Sequence, residues 1–66
     1  MASDRMLKFF AYAHLPDDLQ KVSKSFGDLA LIIELLVPPG PERTVSLRKL
    51  LESKDAAVRA VAMPDA

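Results

Sequence analysis

Ring-bearing side chains alternate in the N-terminal segment. Phe10, Tyr12 and His14 are separated by single residues, and Pro16 follows them. In an extended segment, alternate side chains share one side of the backbone, and aromatic faces at this spacing can stack on nucleobases. The alternative is that Phe9, Phe10 and Tyr12 cover the hydrophobic core, which is favoured for the two phenylalanines. Tyr12 and His14 carry polar groups and are the better ligand candidates, although a solvated His14 also fits the sequence.

Two cations fall on the apolar stripe of the second predicted helix. At about 100° per residue, Arg43 and Lys54 align with Leu47. A buried charge is costly unless it is paired, so each must pair within the fold, extend to water or bind an anionic ligand. Thr44 adds a hydroxyl near the start of that helix, where free N–H groups favour a phosphate. The alternatives are an ion pair from Arg43 to Glu34, extension of Lys54 to solvent, and local hydrogen bonding by Thr44.

Lys24 is a further cation that could meet an anion. If the two predicted helices are antiparallel, position 41+k lies near position 36−k, which places Lys24 and Ser23 near Lys54. Two neighbouring lysines favour either a nearby carboxylate, such as Asp28, or a bound anion. The sequence leaves both interpretations open.

Composition argues against an enzyme, a metal site and a nonspecific duplex binder. The 66-residue chain has one His and no Cys, which gives neither a His-rich metal site nor a Cys nucleophile. A two-helix chain also encloses no cleft in which a carboxylate pair could act. Nine Lys and Arg balance nine Asp and Glu, whereas duplex binding needs a strongly cationic surface. We therefore predict a non-catalytic protein that has no cofactor or metal and binds no duplex nucleic acid.

The longest apolar stretch is too short to cross a membrane. Leu29 to Val37 spans nine residues and includes Glu34, whereas a spanning helix needs about 20. The first residues are not followed by the long apolar run of a targeting segment. The sequence therefore predicts no membrane association and a cytoplasmic location.

Helical periodicity and proline positions predict an all-α fold, an antiparallel two-helix hairpin in one domain. Asp17 and Gln20 fit a capping box at the start of the first helix. Gly40 and Pro41 suit the cap and the first position of the second helix. A short connection joins antiparallel neighbours. The predicted segments of the 1–66 domain are an aromatic N-terminal arm (1–16), a helix (17–36), a turn (37–40) and a helix (41–62).

Apolar residues of the first predicted helix recur at spacings of three and four. This pattern is a heptad seam, which packs against another helix. In so short a chain, apolar burial at ~25 cal/mol per Å² roughly cancels the cost of ordering the residues, and no disulfide is available. We therefore predict a homo-oligomer. The seam consists of Leu19, Val22, Phe26, Leu29, Ile33 and Leu36.

Two motifs resemble those of a family of short phage proteins. One is the aromatic arm from Phe10 through Tyr12 and His14 to Pro16, and the other is PERTVSLRKLLESKDAAVRA, which starts at Pro41. The family includes the anti-CBASS cyclic-nucleotide sponges, and it shares its helical hairpin with an anti-Thoeris sponge. The resemblance covers most of the chain, from the arm to the end of the second helix.

The resemblance implies a protein without enzyme activity that binds cyclic di- or trinucleotide immune signals between subunits, in the cytoplasm of a host cell. The well-known members are hexamers. It implies that Tyr12 stacks on a base. It also implies that Lys24, Arg43 or Thr44 meets a phosphate. The full set of candidate ligand-binding residues is Phe10, Tyr12, His14, Lys24, Arg43, Thr44 and Lys54.

A second function fits the same helical pattern. A hairpin with a heptad seam could act as a protein-interaction module that docks a partner helix and has no nucleotide ligand. The two hypotheses differ in the role of the arm and the cations, which only the first one uses.

Overall fold

The computed structural model describes residues 5–63, which contain two α-helices and no strand. A 3₁₀ helix, Arg5–Phe10, comes first and is followed by α1, Asp17–Leu36, and α2, Pro41–Ala62. The predicted all-helical, two-helix architecture is confirmed, and α1 and α2 occupy the residues that the pattern indicates. Within the predicted N-terminal arm, residues 5–10 form the 3₁₀ helix, which packs against both α-helices.

The start of α1 differs from the expected capping box. Pro16 occupies the N-cap position, and no side chain caps the helix there. Asp17 already lies inside the first turn, where its charge suits the helix dipole. The Gln20 amide instead donates to the backbone carbonyls of Ala13 (3.3 Å) and Leu15 (2.7 Å). Gln20 therefore ties the arm to α1.

The turn between the helices is held by a buried arginine. Val37 is extended, as expected for a residue before a proline, and Gly40 is the N-cap of α2, as predicted. The Arg43 guanidinium donates to the carbonyls of Glu34 (3.4 Å) and Val37 (3.3 Å). Carbonyls in the last turn of a helix lack intrahelical partners, so Arg43 stabilises the end of α1.

The core is small and lies where the 3₁₀ helix, α1 and α2 meet. Its buried hydrophobic residues are Phe10, Ala30 and Leu47, with six partly buried apolar residues packed around them. The buried positions of α1 are the small residues Ser23, Gly27 and Ala30. Small side chains let neighbouring backbones approach closely, so this stripe serves as the contact face of α1.

The predicted heptad seam is only partly buried within the chain, because Phe26 and Ile33 pack against the core whereas other seam residues are exposed. Leu29 is about half exposed and Leu36 is 77% exposed. At about 100° per residue, the exposed apolar residues of α1 form one continuous arc beside the small-residue stripe. We call this arc the α1 apolar face, and it consists of Leu29, Leu31, Ile32, Leu35 and Leu36.

Neither helix could span a bilayer. Within residues 5–63, neither α1 nor α2 combines the length and the apolar character that crossing a membrane requires.

Candidate functional site

Tyr12 lies directly against Gly27 of α1. A Cβ added at Gly27 would come within 3.3 Å of the Phe10 carbonyl oxygen and 3.7 Å of two carbons of the Tyr12 ring. Any side chain at position 27 would therefore press on the arm. The glycine allows the arm to cross α1 closely enough to place the half-buried Tyr12 ring on the helix surface.

Two open hollows flank the Tyr12 ring. We call the first one the apolar hollow; it is lined by Leu7, Phe10, Ala11, Tyr12, Gly27, Asp28 and Leu31. We call the second one the charged hollow; it is lined by Tyr12, Asp17, Gln20, Lys21 and Lys24. Tyr12 lines both hollows, so a planar group in either hollow could stack on its ring.

Lys24 and Asp28 form an ion pair that joins the two hollows. Lys24 Nζ lies 2.7 Å from Asp28 Oδ2, one helical turn away on α1, and both side chains are more than half exposed. The hydrogen bond and the negative charge of Asp28 raise the pKa of Lys24 above its ordinary value. Lys24 therefore carries its charge at neutral pH and can donate to an anion beside Tyr12.

Lys54 of α2 binds the backbone of the arm. Its Nζ donates to the Phe9 carbonyl at 2.9 Å and lies 3.9 Å from an oxygen of Asp55. The residue is only 9% exposed, so the alternative of extension to solvent is wrong. The Phe9 carbonyl lies near the end of the 3₁₀ helix, just before Tyr12. In this structure the Lys54 ammonium is therefore used to fix the arm on α2.

Arg43 and Thr44 lie at the other end of α1. Nine residues separate Gly27 from Leu36, which corresponds to roughly 14 Å along a helix. Arg43 is buried against the turn, and the Thr44 hydroxyl donates to the Gly40 carbonyl at 3.4 Å. Within one chain, these two residues are thus separate from the Tyr12 site.

The three alternating rings do not share one face. Phe10 is buried in the core, Tyr12 is half-buried and His14 is exposed. The Leu15 N–H donates to the Tyr12 carbonyl at 3.0 Å, which closes a turn and removes the extended geometry that the alternation requires. The expected core role is correct for Phe10 and wrong for Phe9, which is about half exposed.

The structure thus brings together three of the predicted site residues and adds two that the sequence did not assign to the site. Phe10, Tyr12 and Lys24 meet around the hollows, and Gly27 and Asp28 complete their border. A glycine in the middle of a helix is a signal of close approach. That signal could have identified Gly27.

No metal site accompanies this arrangement in residues 5–63, where no three potential His, Cys, Asp or Glu ligands cluster. Comparisons of the chain with protein-family models, curated proteins and solved structures gave no match.

Substituting Gly27→Ala tests whether the glycine places Tyr12. Alanine favours the helix by about 1 kcal/mol, but its Cβ would press on the Phe10 carbonyl. We expect the arm to shift outward, with a net change in the free energy of unfolding below about 1 kcal/mol because the two effects oppose each other. Tyr12 is the only Tyr and the chain has no Trp, so acrylamide quenching of tyrosine fluorescence reports on this ring alone.

Ser25→Ala is the matched control, since Ser25 is exposed on the same helix. It should leave the quenching of Tyr12 unchanged. Equal quenching in Gly27→Ala and the unaltered protein would show that the arm does not need the glycine.

Proposed function

We propose that this chain binds and sequesters cyclic di- or trinucleotide immune signals between the subunits of a homo-oligomer, without catalysis, as a phage-type anti-defence protein in the host cytoplasm. The observation that carries the proposal is the Tyr12 ring, which stands between two hollows with the Lys24 ammonium at their border. Sequestration breaks no bond in the ligand, so the site requires recognition groups and no catalytic ones.

The residues of the site match the two chemical parts of a nucleotide. A base can stack on the Tyr12 ring, and stacking on an aromatic side chain contributes about 1–3 kcal/mol per base. The apolar hollow, which Leu7 and Leu31 help to line, offers a surface for the other face of that base. A phosphate can accept a charge-assisted hydrogen bond from Lys24. Base and phosphate would then lie on adjacent sides of one tyrosine.

Self-association would complete this site. Both hollows are open in one chain, and Leu31 belongs both to the apolar hollow and to the α1 apolar face. A second copy that packs on this face would therefore cover the hollow. A two-fold arrangement presents the same groups twice, which suits a cyclic dinucleotide with two bases and two phosphates. The family resemblance extends this arrangement to a hexamer.

Calorimetric titration with cyclic GMP–AMP and cyclic tri-AMP tests the proposal. We expect the unaltered protein to bind one of these signals, and Tyr12→Ala to weaken binding at least about tenfold, because the loss of one stacking contact is of that size. Tyr12→Phe keeps the ring and is expected to retain binding. Size-exclusion chromatography with light scattering should show the same mass for all three proteins.

The absence of nucleotide binding would contradict the proposal. An assembled, folded protein that binds neither signal, and whose melting temperature is raised by neither, has another function. That result would favour the alternative, a helical-hairpin module that binds a protein partner, for which the exposed α1 apolar face is the supporting observation.

A further inference from the structure

Asp28 occupies a position from which it can oppose an anionic ligand. It follows Gly27, lines the apolar hollow beside Tyr12, and holds the Lys24 ammonium at 2.7 Å. The ammonium is the cation that a phosphate at this site would need. The fold thus pairs the Asp28 carboxylate with the Lys24 ammonium, the group to which a phosphate of the ligand would bind.

A carboxylate and a phosphate compete for the same donor. A phosphate at Lys24 must share the ammonium with Asp28 or displace it, and either arrangement brings two negative groups close together. The Lys24–Asp28 pair is exposed on both sides, and exposed ion pairs are individually weak. Such a pair is easily opened, so Asp28 lowers the affinity for an anion without blocking the site.

From this geometry we infer that Asp28 sets the anion affinity of the Tyr12 site by competing with the phosphates of the ligand for Lys24. The inference rests on the proposed function and adds a determinant of specificity to it. A ligand with phosphates is weakened by Asp28, whereas a neutral nucleoside that only stacks on Tyr12 is not. Asp28 therefore reduces what the phosphates contribute to affinity, so that binding at this site depends more on the base that stacks on Tyr12.

Asp28→Asn in the otherwise unaltered oligomer tests this inference. The substitution keeps the size of the side chain, and its exposed position makes a folding defect unexpected. We expect cyclic GMP–AMP and inorganic pyrophosphate to bind about threefold to tenfold more tightly at low ionic strength. The gain should shrink as salt is added, and adenosine should bind the two proteins equally.

The control variant is Glu52→Gln. Glu52 Oε2 lies 3.5 Å from Lys49 Nζ in an exposed pair on α2, so this variant removes one negative charge and one surface ion pair away from Tyr12. It should leave the affinity for both anions unchanged. Combining Asp28→Asn with Lys24→Met then separates competition from general charge, because a true competitor loses its effect when Lys24 is absent.

The outcomes separate this inference from the proposed function. Tighter anion binding that disappears in the Lys24→Met background supports the competition. Equal tightening with and without Lys24, or no tightening at all, overturns it, even when cyclic GMP–AMP binds well. If neither cyclic GMP–AMP nor cyclic tri-AMP binds to any variant, the proposed function fails, and the pyrophosphate titration alone still decides whether Asp28 competes for Lys24.

Discussion

Leu31→Asp combined with Leu35→Asp is expected to convert an assembled protein into single chains that bind no cyclic nucleotide. Leu35 is 81% exposed and Leu31 54% exposed in one chain, so more than half of each side chain lies outside the contacts within the hairpin. In an assembly they would place two charges inside an apolar interface, where unpaired charges are very costly. Light scattering should show the loss of mass, and titration should show the loss of binding.

The same double variant should also lose stability. The buried hydrophobic core of the described chain consists of only Phe10, Ala30 and Leu47, and chains of this length have little stability of their own. We therefore expect the melting temperature of the unaltered protein to rise with protein concentration, as mass action requires for an oligomer. The melting temperature of the double variant should be lower and independent of concentration.

Val45→Asp is the matched control for this prediction. Val45 is an exposed apolar residue of α2 and lies outside the α1 apolar face. The same type of substitution there should leave the mass and the binding intact. A monomeric unaltered protein, or a double variant with unchanged mass, would show that the α1 apolar face is not the assembly surface.

Local signals in the sequence indicate where the two helices begin and end. Pro16 and the acidic residues after it mark the start of α1, and Pro38, Gly40 and Pro41 mark the turn. A proline restricts its own backbone and that of the residue before it wherever it occurs. For this reason the bounds of both helices could be predicted without knowledge of their packing.

The buried face of α1 could not be predicted in the same way. A heptad pattern selects the largest apolar residues, such as Leu29 and Leu36, whereas the chain buries Ser23, Gly27 and Ala30. Small residues give no signal in a hydrophobicity pattern, because their contribution is close approach and not buried area. Some of the large apolar residues, such as Leu29 and Leu36, are therefore left exposed in one chain.

The site was predictable in its residue types and not in its geometry. Alternation places Tyr12 and its neighbours on one face only in an extended segment, whereas the arm contains a 3₁₀ helix and a turn. The partner of Lys54 is a backbone carbonyl 45 residues away in sequence. Every residue has such a carbonyl, so no side-chain pattern could single out the one at Phe9.

Replacing Lys54 with Met is expected to release the arm and weaken ligand binding. Methionine is also a long unbranched side chain, but it cannot donate to the Phe9 carbonyl. A hydrogen bond from a charged group contributes about 1.5–3 kcal/mol, which corresponds to about a tenfold to hundredfold change in the population of the docked arm. Acrylamide should then quench the fluorescence of Tyr12 more strongly, and the affinity for cyclic GMP–AMP should fall by about tenfold or more.

Two measurements together decide whether Lys54 positions the arm or touches the ligand. A contact between Lys54 and a phosphate, as the sequence alone suggests, would lower affinity without changing the quenching of Tyr12 in the free protein. An arm-holding role changes the quenching before any ligand is added. Lys49→Met removes the same charge from an exposed position of α2 and should change neither quantity. Because the ammonium already donates to the Phe9 carbonyl at 2.9 Å, we expect the quenching to change.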